Sequence, residues 1–309
     1  MAHVTFIHGI ANKPPADQLL TQWEQDLAYG EAGIDLGTRG ITSTMVYWAD
    51  VMYPEPQSAT LESADDDIPV TTETDIDPSW RDELPGEQKS FVETMAESLG
   101  VTNSEVEELP GDDTEDMDDT LERIPLPRFI KQRVMAILLR DVHHYLFNAF
   151  HAPRPGTAIR VQEEIRDRVV EKLQLGSEQP GPHIVVSHSM GTVIAYDCLK
   201  RVPDCPPVDG LMTIGSPLAR REIPDEFKPD WTRHDGFPSE RLLGPWVNVF
   251  DHFDPVVGAL PHIKRFYEKD GEPAAVDINE QNWGKWRHSI SKYFQGPLLR
   301  RSLGVMLGG

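Results

Sequence analysis

The chain has 309 residues, of which 39% are apolar, and a formal net charge of −22 from 51 acidic and 29 basic side chains. Binding a phosphate backbone needs a basic footprint, so nucleic acid is excluded as an expected partner and an anionic membrane surface is disfavoured. The length suits one large α/β domain, and 1–309 is read as a single domain.

Two cysteines, Cys198 and Cys205, form neither a disulfide framework nor a zinc-ligand spacing. The start of the chain, MAHVTFIHGI, lacks a basic region followed by a long apolar one. No apolar run approaches the roughly eighteen residues of a membrane span. The expectation is a cytoplasmic protein with reduced thiols and no transmembrane segment.

In chain order, HVTFIHG (3–9) reads as a short buried strand, and PPADQLLTQWEQDLAYG (14–30) as a helix with Pro near its start and Gly after its end. GITSTMVYWAD (40–50) reads as a second strand. Residues 55–122 then carry 23 acidic side chains against only Arg81 and Lys89, a net −21. Such a composition buries too little apolar surface to offset its ordering entropy. It is read as an inserted segment that is either solvated or a cap, and that could dock a basic protein partner. SFVETMAESLG (90–100) within it could form one short helix.

Beyond the insertion, PRFIKQRVMAILLRDVHHYLF (127–147) reads as a long helix, with Ile130, Val134, Ile137, Leu138, Val142 and Leu146 at three- and four-residue steps. Its adjacent His143 and His144 should point to different faces, so a joint metal site is not expected. TAIRVQEEIRDRVVEKLQLG (157–176) reads as a helix, HIVVSHS (183–189) as a strand, GTVIAYDCLKR (191–201) as a helix, and DGLMTIGSP (209–217) and WVNVFDHFDPV (246–256) as strands. AAVDIN (274–279) reads as a last strand and HSISKYFQGPLLRRSL (288–303) as a closing helix. Strands alternating with helices predict a mostly parallel central sheet covered on both faces.

The chemistry centres on Ser187-His188-Ser189-Met190-Gly191. Small residues two before and two after a nucleophile allow a sharp strand-to-helix turn that lifts its side chain above the sheet. The helix N-terminus behind it favours developing negative charge. A serine needs a base and the base needs an orienting acid, and on such a turn they follow in the order Ser, acid, His. Asp254, ahead of Pro255 and just past a strand, is the preferred acid over Asp251. His288, after all the strands, is preferred as base over His262. His188 is expected to point away along the turn. The N–H of Met190 supplies one oxyanion donor, and Ile10, after His8-Gly9, supplies the second.

FIHGI, VVSHSMGT, TIGSPL, NVFDHFDPV and RHSISKYF together resemble the α/β-hydrolase superfamily, and within it the lipase- and esterase-like branch. The resemblance spans 1–50 and about 128–300 and leaves out the acidic insertion. Ser187 departs from the usual first glycine of the turn. The resemblance implies an α/β-hydrolase fold with Ser189, Asp254 and His288 as nucleophile, acid and base. It also implies Ile10 and Met190 as oxyanion donors, with Gly215-Ser216-Pro217 bordering the pocket. No metal or organic cofactor is implied.

The function expected is hydrolysis of a small-molecule carboxylic ester or thioester through an acyl-enzyme. Amide or peptide hydrolysis and acyl transfer use the same triad and stay open. So does a non-catalytic interaction protein that docks through its acidic insertion. Leu218, Val256, Val257 and Leu260 lie near the predicted site, either as a lipid-ester pocket or as core. The acidic insertion would favour neutral or cationic substrates.

Overall fold

The computed structural model describes residues 2–57, 78–99, 128–258, 261–284 and 286–308, with the side chains of 78 and 128–133 left aside. Of the acidic insertion, residues 58–77 and 100–122 fall outside this range, as does Leu260.

Ten strands occur among the described residues: β1 His3–Ile7, β2 Thr42–Val46, β3 Phe150–His151, β4 Ile159–Arg160, β5 His183–His188, β6 Gly210–Ile214, β7 Trp246–Phe250, β8 Glu268–Lys269, β9 Glu272–Pro273 and β10 Val276–Asn279. Six of them form one sheet in the order β10-β7-β6-β5-β1-β2, and every pairing in it is parallel. The other four make two small antiparallel hairpins.

Alternate residues of the strands feed two separate cores. Val4, Phe6, Ile184, Val186, Met212, Ile214, Val247 and Val249 pack with Leu19, Trp23 and Leu27 of the Ala16–Ala28 helix and with Tyr293, Phe294, Leu299 and Leu303 near the C-terminus. Ile7, Val185 and Leu211 pack on the opposite side with the helices Gly86–Ser98, Arg128–Leu146, Val161–Ser177 and Met190–Arg201. The sheet is therefore covered on both faces, the arrangement expected of an α/β-hydrolase fold. Strands buried on both faces explain why HIVVSH and WVNVF show near-continuous apolar runs.

The order also places the site. Chain runs outward from β1 to β2 on one side, and from β5 to β6 on the other. The neighbours β1 and β5 therefore flank the point where the sheet reverses its winding. Ligands of open α/β sheets bind beyond the carboxyl ends of strands at such a point. Gly9-Ile10 follows β1 there, and Ser189 follows β5.

Three expected elements differ. The second strand stops at Val46, because the Trp48 backbone N–H and indole N–H turn back to His8, and Ala49–Met52 becomes a short helix. Ile159 and Arg160 leave the expected helix to pair with Phe150 and His151. The closing helix breaks into Ile290–Gln295 and Pro297–Met306. Proline drives the residue before it out of the helical region, and Gly296 sits at φ −67, ψ 128. The buried Glu280 carboxylate accepts the Leu298 and Leu299 N–H groups at 2.9 and 3.0 Å, capping the second piece.

The insertion's described helix runs Gly86–Ser98, longer than the short helix expected. Its Phe91, Val92, Met95 and Ala96 join the main core. Thus this part of the acidic segment is anchored, with its acidic side chains turned outward.

Candidate active site

Ser189 joins β5 to the Met190–Arg201 helix with φ 55 and ψ −129. For a non-glycine residue that backbone costs about 1–3 kcal/mol, so the surroundings must hold it. Ser189 N–H donates to Ile214 O at 2.9 Å, and the Thr192 hydroxyl donates to Ser189 O at 2.6 Å. Having spent its proton there, Thr192 Oγ1 accepts from the Ser216 hydroxyl at 2.7 Å, which ties the Gly215-Ser216-Pro217 loop to the turn. A Cβ on Gly191 would lie 2.4 Å from Ile7 O, so only glycine lets the helix start this close to β1. Ser187 is fully buried, and its hydroxyl donates to Met212 O at 3.2 Å, which accounts for serine in place of the usual glycine. As first helical residue, Met190 has no partner for its N–H inside the helix.

The loop after β1 lies against this turn. A Cβ on Gly9 would be 2.6 Å from Ser189 Cβ and 3.2 Å from its Oγ. His8 stacks on Trp48, with centroids 4.8 Å apart and planes at 11°. Its Nε2 accepts the Trp48 N–H at 3.0 Å, so the proton sits on Nδ1, which donates to Gly9 O at 2.8 Å. Burial pulls the pKa of His8 down to about 3, which keeps this tautomer neutral. Carbonyl and N–H of one trans peptide point in opposite directions. Fixing Gly9 C=O therefore fixes the direction of the Ile10 N–H, which makes no hydrogen bond among the described residues. Next in the loop, Ala11 takes φ 71, and its N–H donates to Asp141 Oδ2 at 3.2 Å. Asp141 is fully buried on the Arg128–Leu146 helix and paired with Arg140 at 2.8 Å.

Beyond β7, His288 Nδ1 lies 2.7 Å from Asp254 Oδ2. A carboxylate only accepts, so the His288 proton is on Nδ1 and Nε2 is a bare acceptor. Asp254 also accepts from the Tyr293 hydroxyl at 2.8 Å and the Val256 N–H at 2.9 Å. Burial, then Asp254 itself, pushes the Tyr293 phenol well above its usual range, so it remains a donor. Ser189 Oγ and His288 Nε2 are among the buried polar atoms with no hydrogen-bond partner among the described residues.

The rival candidates are engaged elsewhere. Asp251 accepts from the Phe253 and Asn282 N–H groups and pairs with Arg287 at 3.2 Å, bracing the two loops. His262 packs on Phe250 and His252, with centroids 5.1 and 5.8 Å away, and has no hydrogen bond to Ser189 or Asp254. His188 does not point away along the turn. Its Nε2 donates to the backbone carbonyl of His288 at 2.9 Å, and the two rings lie 4.6 Å apart. His143 and His144 likewise turn toward each other, their Nδ1 atoms 3.4 Å apart beside Trp80. No group of three or more His, Cys, Asp or Glu suited to a metal ion occurs among the described residues.

Arg220 was not legible as part of the site. Its Nε and Nη2 donate to Val256 O and Pro255 O at 2.7 and 2.9 Å, and Nη1 donates to Ser98 O at 3.0 Å. One guanidinium thus joins the Asp254 turn to the end of the insertion helix. Burial without a bonded carboxylate lowers its pKa to about 10.

Ser189, Met190, Ile10, Asp254 and His288 are all buried. Leu218, Val256 and Val257 are buried as well and serve as core positions. A surface cleft of about 740 Å³, lined by Arg221, Lys228, Trp231, Arg233 and Arg265 among others, includes none of the candidate residues. No helix among the described residues is long and apolar enough to cross a membrane.

No protein-family profile matches the chain, and no curated protein matches it. Three solved chains match by structure. One is acetyl xylan esterase 1 from Thermoanaerobacterium sp. JW/SL YS485, at 12% identity and a TM-score of 0.31, covering all of this chain and 74% of that one. A superposition that loose says nothing about chemistry.

Proposed function

We propose that the protein is a serine hydrolase that cleaves a small-molecule carboxylic ester or thioester through an acyl-enzyme on Ser189. The observation that carries the reading is the 2.7 Å hydrogen bond between Asp254 and His288, with a bare His288 Nε2 and an unpartnered Ser189 hydroxyl buried in the same region. Other buried polar atoms among the described residues also lack a hydrogen-bond partner, but these two are a serine hydroxyl and the free imidazole nitrogen of a carboxylate-bonded histidine, the pair that acyl transfer needs.

In the mechanism, Ser189 Oγ attacks the acyl carbon while its proton passes to His288 Nε2. The Ile10 and Met190 N–H groups receive the oxyanion. As the tetrahedral intermediate collapses, the bond to the leaving oxygen or sulfur breaks, and His288 returns the proton to that atom. Water then repeats the sequence on the acyl-enzyme, releasing the acid and restoring Ser189. Asp254 keeps the Nδ1 proton in place and stabilises the imidazolium. The strained turn and the His8-held peptide hold the donors before substrate arrives, so little reorganisation is needed. The buried site favours a small substrate, and the acidic chain a neutral or cationic one.

A panel of p-nitrophenyl esters tests the reading. Wild type is expected to release a burst of p-nitrophenol followed by a slower steady rate, the signature of an accumulating acyl-enzyme. Ser189→Ala should show neither. Equal turnover by both proteins would assign the activity elsewhere.

Gly9→Ala is expected to lower kcat/KM by about 10²–10³, because the new methyl displaces Ser189 or the oxyanion peptide. Steady-state kinetics on the same esters, alongside a melting curve, checks it. Retention of full activity would place Gly9 away from the reacting centre.

A further inference from the structure

His188 is the residue whose placement the mechanism above does not use. It ends β5 and is bonded directly to Ser189. Its imidazole is buried, with Trp23 edge-on at 6.4 Å, Tyr293 at 6.4 Å and the His288 ring at 4.6 Å. Its Nδ1 faces Gly9, 3.3 Å from where a Cβ would stand. Packed on these sides, the ring has no second rotamer to adopt without displacing neighbours.

Its side chain makes a hydrogen bond that spans 100 residues of sequence, from Nε2 to His288 O at 2.9 Å. A carbonyl only accepts, so Nε2 holds the proton. Burial first, and His288 second, hold its pKa well below 6.5, so the donor does not change across the neutral range.

We infer that His188 is a positioning residue that sets the distance between nucleophile and base by tying the Ser189 turn to the His288 backbone. Asp254 governs only the rotation and tautomer of the imidazole. The loop that carries His288 comes from the far end of the chain, and the preceding Arg287 bonds Asp251 and Asn282 rather than the turn. Among the described residues, the His188 bond links the base's own backbone directly to the strand that ends at Ser189. A displacement of about 1 Å between reacting groups can cost about 10² in rate, so a single fixed strut is enough to matter.

This inference rests on the reading of Ser189 and His288 as nucleophile and base. Its test uses full-length His188→Phe, which keeps a flat ring without the donor, and His188→Gln, whose amide can restore an N–H near Nε2. The Phe variant is expected to lose about 10- to 100-fold in kcat on p-nitrophenyl esters with KM little changed. The Gln variant is expected to recover most of that loss. Equal kcat in wild type and a folded Phe variant would overturn the inference, as would Phe and Gln losses that simply follow lost stability. Two NMR readouts need no turnover. In wild type, the ¹⁵N shifts of His188 should report an Nε2–H tautomer from pH 6 to 8, and an Nδ1–H tautomer would overturn the strut. The low-field proton of the His288–Asp254 bond should move in the Phe variant and return in Gln. If wild type shows no esterase activity while these resonances behave as stated, the hydrolase reading fails and the strut stands as a structural link.

Discussion

Asp254→Asn is expected to lower kcat by about four orders of magnitude while leaving KM nearly unchanged. The reason lies in the proton on His288 Nδ1. The Asp254 carboxylate accepts that proton's hydrogen bond and also those of Tyr293 and Val256. An asparagine amide placed against Nδ1 would donate instead. The imidazole would then carry its proton on Nε2 and could no longer take the serine proton. The fold should survive, because Asn keeps the volume and an oxygen for the Val256 N–H. Asp251→Asn provides the contrast. It removes a charge paired with Arg287 and one of two acceptor bonds to backbone N–H groups, so its main cost should be stability. Steady-state kinetics and urea midpoints on the two variants separate the roles. A drop of less than about tenfold in kcat for Asp254→Asn would show that another group orients His288.

Acid unfolding at unusually high pH is the second large effect expected. Burial lowers the pKa of His8 and His143 to about 3 and of His144 and His183 to about 4. The unfolded chain protonates the same side chains near 6.5, so below that pH it binds protons that the folded state refuses. Stability is therefore full above about pH 6.5 and falls as pH drops toward the folded values. Each histidine adds about 1.4 kcal/mol per pH unit, and four together make a slope of about 5–6 kcal/mol per unit. Against a total of about 5–15 kcal/mol, that places the unfolding midpoint near pH 5. Urea midpoints followed by circular dichroism from pH 8 to 5 test this. His143→Gln should flatten the slope by about 1.4 kcal/mol per pH unit. A stability constant from pH 7 to 5 would mean that these rings take up protons in the folded state.

The sheet was readable because each central strand is short, apolar and bounded by turn residues, which leaves few alternatives. The turn at Ser189 was readable for a related reason: β5, the pentapeptide and the helix are contiguous, and the required small residues fall at fixed offsets. Asp254 rather than Asp251 meets His288, as the Asp-Pro pair just past β7 suggested. What escaped depends on contacts between distant segments. No local pattern says that Arg220 reaches Ser98 and Pro255, that Tyr293 bonds Asp254, or that Asp141 holds Ala11. His188 was misjudged because the direction of its side chain is decided by Gly9, Trp23 and His288, which lie far from it in sequence. The break at Gly296-Pro297 was, by contrast, local and available from proline's geometry alone. In Ile159–Arg160 the apolar period continued through residues that a hairpin partner claimed for itself.

The most direct test of the account is fluorophosphonate labelling of the folded protein, followed by mass mapping of the adduct. Wild type should carry one phosphonyl group on the peptide containing Ser189, lost in Ser189→Ala and lost again when the protein is unfolded before treatment. A folded wild type that stays unlabelled, or an adduct that persists in Ser189→Ala, would contradict the assignment of Ser189 as an activated nucleophile.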